Sequence, residues 1–272
     1  MRKRSKKYLL KLKPVLDKWV ERMEVPAYIE DDPIQFLHAF DDAEEINVAG
    51  FFTATMAWGK RSIVIAKVHD LLDRMAYKPL DFIGNFTELD THRLVGFKHR
   101  TFNSEDMYWL VKTIQQILIR YTTFEAFWAN CLNYSIVENR PLMGVFHEEF
   151  FRFFPEIPAR TRRHISNPEK GGSCKRLYMY LRWTIRNGPV DVGSMSFMSP
   201  SQIYIPLDVH VARQSRRLGL ITRKQNDWKA VEELQQQLVI LDPSDPSKYD
   251  YALFGVGLNP QWLDKKWILN HN

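Results

Sequence analysis

The chain of 272 residues is 45% hydrophobic and 13% aromatic, enough for one large core and far from the composition of a disordered chain. Two cysteines, Cys131 and Cys174, cannot supply the four thiolates of an iron–sulfur cluster or of an all-cysteine zinc site. A net charge of +6 favours a polyanionic partner. No run of about 18 apolar residues is present, so no membrane span is expected. The basic N-terminus is followed by an amphipathic stretch where a secretory signal needs an apolar core, and the chain reads as cytoplasmic. Residues 1–7 form a basic tail (Arg2, Lys3, Arg4, Lys6, Lys7), and 8–272 read as a single helical domain.

Leu9, Leu12, Leu16, Trp19, Val20 and Met23 fall on one face of an opening helix. A long apolar segment after Asp41-Asp42 takes in Ile46, Phe51, Met56 and Trp58, with Gly59 interrupting it before Ile63 to Leu72 resume. Ser104 caps a helix carrying Met107, Leu110, Val111, Ile114, Ile117, Leu118 and Tyr121 at helical spacing. Shorter helices are expected near 123–132, 142–152 and 158–165. A Gly171-Gly172 turn leads into a helix with Leu177, Tyr178, Leu181 and Ile185 as its apolar stripe. After a long Gly-, Pro- and Ser-rich loop at 187–202, Asp208 opens a helix ending near Leu218-Gly219. Asn226 caps the next, with Trp228, Val231, Leu234 and Leu238, and a last helix from about Ser247 stops at Gly255 or Gly257. Nothing alternates for long with period two. The fold class is all-α.

Basic residues gather in two further clusters, Arg160-Arg162-Arg163 and Arg213-Arg216-Arg217-Arg223-Lys224, each readable as a solvated face or as a phosphate-backbone contact. Lys175 stands just after a glycine turn at a helix start, where the positive end of the helix disfavours an ammonium and favours the free, nucleophilic amine. From the residues alone, the better reading is a lysine whose stem packs on the surface while its head stays in water. Asp208 is an N-cap whose carboxylate accepts a backbone N–H, and the same fixed carboxylate can orient an amine or stabilise positive charge on a sugar. The 187–202 loop is long enough to be functional, or is a plain surface insertion. His164 and His210 lack partners at metal-ligand spacing and read as structural or phosphate-contacting. Asp242, Asp245 and Asp250 read as a solvated turn, because the glycine and terminal glutamate of a calcium loop are missing. No metal site and no cofactor is expected.

Gly171-Gly172-Ser173-Cys174-Lys175 resembles the hairpin of the helix-hairpin-helix (HhH-GPD) DNA glycosylases, and Pro206-Leu207-Asp208-Val209-His210 resembles their catalytic aspartate segment. The run from Ile205 to Arg213 is closest in motif to the archaeal 8-oxoguanine glycosylases, and Lys248–Gly257 is similar to the helix that closes that domain. The whole chain also resembles a bacterial family of unknown function. The first resemblance implies a two-lobed helical fold acting as a monomer on duplex DNA that carries a damaged base. It implies that Lys175 displaces the base and forms a Schiff base, assisted by Asp208, and that the phosphates are held by Gly171, Gly172, Ser173, Arg176, His210 and Arg213. Trp58 and Trp183 are candidates to stack on the flipped base, or are core tryptophans. Ser173 stands where the family has the hairpin's second glycine, which predicts a different phosphate grip and leaves open a glycosylase-like protein that binds nucleic acid without catalysis.

Overall fold

The structure, a computed structural model, describes residues 4–268. Arg2 and Lys3 of the expected tail, and residues 269–272, lie outside the described residues. The chain is helical almost throughout; the strands are two-residue segments, β1 (Lys98–His99) and β2 (Phe102–Asn103), paired antiparallel with His99 opposite Phe102. No helix among the described residues is long and apolar enough to cross a membrane.

Helix α1 (Lys6–Met23) starts inside the expected tail, because Ser5 caps it by accepting the Tyr8 N–H. All six apolar residues of its expected face are buried. Helix α2 (Ala43–Met56), capped by Asp42, is buried from Ile46 to Met56, as expected of a helix that is apolar all round and sits at the centre of a core. Around it lie α3 (Arg61–Arg74), α4 (Pro79–Gly84) and α6 (Phe124–Glu138). Helix α5 (Ser104–Tyr121) packs on α4 and α6, and α7 (Leu142–Arg152) packs on α6. The four-residue α8 (Ala159–Arg162) and a 3-10 turn at Pro168–Lys170 lead into α9 (Lys175–Ile185), which packs on α2. The remaining helices, α10 (Val209–Leu218), α11 (Trp228–Leu241) and α12 (Tyr249–Leu258), gather with α1: α12 lies against α1 and α10, and α11 against α1.

Several boundaries differ from the sequence reading. Helix α5 is capped by Asn103, not Ser104, through a reciprocal box in which Asn103 accepts the Asp106 N–H and Asp106 accepts the Asn103 N–H. Asp227 rather than Asn226 caps α11. Helix α6 runs on to Glu138, where Asn139 ends it in the left-handed region, and α8 stops at Arg162. Gly255 and Gly257 do not end α12 but lie inside it. A Cβ on Gly255 would collide with the Met23 side chain of α1, and one on Gly257 would come 2.7 Å from the Cβ of His210 on α10. These glycines let three helices close on one another.

The 187–202 loop is an ordered cover for the end of α9. Its backbone satisfies the open carbonyls there, Val192 N–H donating to Trp183 at 2.8 Å and Met195 N–H to Thr184 at 2.7 Å. Val190, Asp191, Met195 and Met198 are buried beneath it.

Candidate active site

Lys175, Met179 and Arg182 recur at helical spacing on α9, and with Trp183 they form one wall of a cleft of about 630 Å³. The N-terminus of α10 contributes Asp208 and His210, α12 contributes Asp250 and Phe254, and the α2–α3 turn contributes Trp58. The loop at 187–202 lines none of it.

Asp208 is the N-cap the sequence predicts. Its backbone is extended (φ −93°, ψ −176°), and Oδ1 accepts the Val211 N–H at 2.7 Å. The cap fixes the carboxylate and leaves Oδ2 without a protein hydrogen bond among the described residues. Lys175 is the first residue of α9, half-buried, and its amine has no hydrogen-bond or ion-pair partner among the described residues. The turn before it is built differently from the expectation. The left-handed positions are Gly171 (φ 82°) and Cys174 (φ 53°), so Ser173 carries no strain where the resemblance calls for glycine. Gly172 is needed for space: its N–H donates to the Asn167 carbonyl at 3.0 Å, and a Cβ there would sit 3.0 Å from the same oxygen.

Other expected site residues are spent within the protein. Arg176 donates to the carbonyls of Thr55 and, at 2.7 Å, His164, and its guanidinium lies 4.7 Å over the Trp58 ring; burial pushes it down to about 10. It ties the end of α2 to the segment before the hairpin, and it still lines the cleft. Trp58 is packed by Arg176, by the His99 edge at 4.5 Å and by His164 at 5.9 Å. Trp183 is a buried core residue that also lines the cleft, and its indole N–H has no partner among the described residues. His210 packs edge-on against Phe254, with Nδ1 buried and unpaired, so it belongs to the cleft wall. Arg213, one turn further along α10, is exposed and lines no part of the cleft. Gly171 is exposed, and Gly172 and Ser173 are half-buried beside it.

The geometry also brings in groups that the sequence reading set aside. Asp250 is no part of a solvated turn. It is buried on α12 and ion-paired with Arg182, which approaches Asp191 at 3.4 Å and lies 4.2 Å over the Tyr251 ring. Burial pushes the Asp250 carboxyl up to about 7 against the opposing Arg182 charge, with Asp208, Asp191 and Asp32 adding to the rise. Asp32, also buried in the cleft wall, is raised by burial, with Arg61 at 3.6 Å opposing. Among the described residues no three His, Cys, Asp or Glu side chains gather as a metal site.

The family model described as "Protein of unknown function (DUF2400)" matches residues 32–259. The chain belongs to the DUF2400 family. No curated protein and no solved structure matches it. The matched region holds every residue lining the cleft except Tyr28. A carboxylate inside the apolar run Tyr249–Leu253, and an arginine inside the stripe of α9, were the signals in this DUF2400 sequence that could have marked Asp250 and Arg182.

Proposed function

We propose that the protein is a DNA glycosylase with AP lyase activity, on a two-lobed helix-hairpin-helix glycosylase fold, acting as a cytoplasmic monomer on duplex DNA. The observation that carries this reading is that Lys175 and Asp208, 33 residues apart, line one cleft, the first with an unpaired amine and the second with a free oxygen on a fixed carboxylate. A volume of about 630 Å³ suits a small ligand such as an extruded nucleotide. The Lys175 amine attacks C1′. The C1′–N bond breaks, its electron pair leaves with the base, and the base takes up a proton. The proton lost from the lysine nitrogen passes to Asp208, whose negative charge also stabilises the oxocarbenium-like transition state. Opening of the sugar ring gives a Schiff base, and loss of the C2′ proton expels the 3′ phosphate.

The test is base release from duplexes carrying 8-oxoguanine, uracil or alkylated bases. Lys175→Ala should lower release by at least about 10³-fold while leaving DNA binding and unfolding unchanged. Full activity in that variant contradicts the assignment. Salt-dependent binding without release from any substrate leaves a nucleic-acid-binding protein without catalysis.

A further inference from the structure

A second depression, of about 430 Å³, adjoins the cleft and shares Trp58 and Arg176 with it. Of its other basic residues, Arg160 and Arg163 come from the cluster that the sequence left open between a solvated face and a phosphate contact, and His164 was read as structural or phosphate-contacting. The structure sorts them by what they already hold. Arg160 donates to Asp106 Oδ1 at 2.9 Å, to the Thr101 carbonyl at 2.8 Å and to Asn103 Oδ1 at 3.2 Å. His164 lies 3.4 Å from Asp106, a fully buried carboxylate. Burial acts to raise Asp106, but hydrogen bonds from His164 and Thr161 hold it below the usual carboxylate range. Arg162 is spent on the carbonyls of Ile157 (3.0 Å) and Pro155 (2.8 Å). Arg163 is left, exposed and without a hydrogen-bond or ion-pair partner among the described residues.

A second free guanidinium, that of Arg100, lies next to Gly59 of the cleft wall, and the following residue, Thr101, lines the second depression. Arg100 is exposed in the β1–β2 turn, and its side chain lies across Gly59, where an added Cβ would meet Nη1 at 2.9 Å. It too has no hydrogen-bond or ion-pair partner among the described residues. Its backbone is left-handed (φ 55°), a conformation that is unfavourable for a residue other than glycine and that turns usually give to Gly or Asn. The turn geometry therefore does not explain the arginine. A guanidinium presents a planar fork that matches a phosphodiester; Arg163 shares the second depression with Trp58, and Arg100 lies against the adjacent Gly59.

We propose that this shelf binds backbone phosphates of the strand that enters the cleft, with Arg100 and Arg163 as the contacting groups. The proposal rests on the nucleic-acid reading above and assigns the backbone contact to residues outside the hairpin.

The test measures equilibrium binding of an undamaged duplex across a salt series. The variants are Arg100→Gln, Arg163→Gln and the pair, with the pair Lys11→Gln/Lys18→Gln on the exposed side of α1 as a control of equal charge loss. Each shelf substitution should reduce the slope of log K against log salt by about 0.9, and the pair by about twice that, with the control unchanged. A shelf pair with the wild-type slope, or a control that falls equally, overturns the proposal. If the wild type binds no duplex even at low salt, the shelf and the DNA reading fail together. Wild-type binding and base release with unaltered slopes sink the shelf alone. Altered slopes without base release support the shelf and remove the catalytic reading.

Discussion

Helix α9 carries basic side chains into two different settings. At its C-terminal end Arg186 meets Glu24 at 2.9 Å, Asp245 at 2.9 Å and Asp191, while one turn earlier Arg182 meets Asp250 and Asp191. Opposing charge lifts both guanidiniums above their ordinary range despite burial. At the N-terminal end Lys175 meets no partner among the described residues, although Asp208 lines the same cleft. The C-terminal charges are used up in joining α1, α9, α12 and the 187–202 loop, and desolvation makes each costly to leave alone. Under the proposed function, the N-terminal pair acts on a third molecule. Stability and chemistry are therefore expected to separate along a single helix.

At the free end, after the loss expected for Lys175→Ala, the next largest effect comes from Asp208→Asn. Asparagine caps as well as aspartate, so denaturant unfolding should change little, while base release falls by about 10²–10³-fold through loss of the charge. A large loss of stability would mean that Asp208 is chiefly structural. At the satisfied end the order reverses. Asp191→Ala leaves two buried guanidiniums short of a partner and should cost about 3–5 kcal/mol in urea unfolding. A cost near zero would show that the network is not what binds these elements together.

Asp250 stands between the two settings, buried and paired yet lining the cleft. Its folded pKa of about 7 lies above the unfolded value near 3.9, so its contribution to stability is full below about pH 4 and is lost as the pH rises through about 7. Relative to Asp250→Asn, the wild type should lose on the order of 1–4 kcal/mol between those limits and hold steady above them. Parallel stability curves for the two proteins would show that the carboxyl is ionised throughout.

The helices were legible because burial of a helical stripe leaves a period in the sequence: the six apolar positions of α1 and the core positions of α5 could be named in advance. Caps were legible only to within a residue, since Asn103-Ser104 and Asn226-Asp227 each offer two competent side chains and the backbone selects one. Gly255 and Gly257 read as a helix stop because sequence alone does not show that Met23 and His210 fill the space beside them. In the cleft, Lys175 and Asp208 were visible from their turns and local motifs. Asp250 and Arg182 were not, since their significance lies in a contact across 68 residues. The cluster at 160–163 could not be divided before it was known which carbonyls and carboxylates each arginine reaches.

The most direct test of the central claim is borohydride trapping on duplexes carrying 8-oxoguanine, uracil, alkylated bases or an abasic site, followed by mapping of the adduct. The account predicts a covalent protein–DNA species attached at Lys175, absent in Lys175→Ala, and strongest on the lesion the cleft accepts. A folded, DNA-bound protein that yields no adduct on any substrate, or an adduct at another lysine, contradicts it.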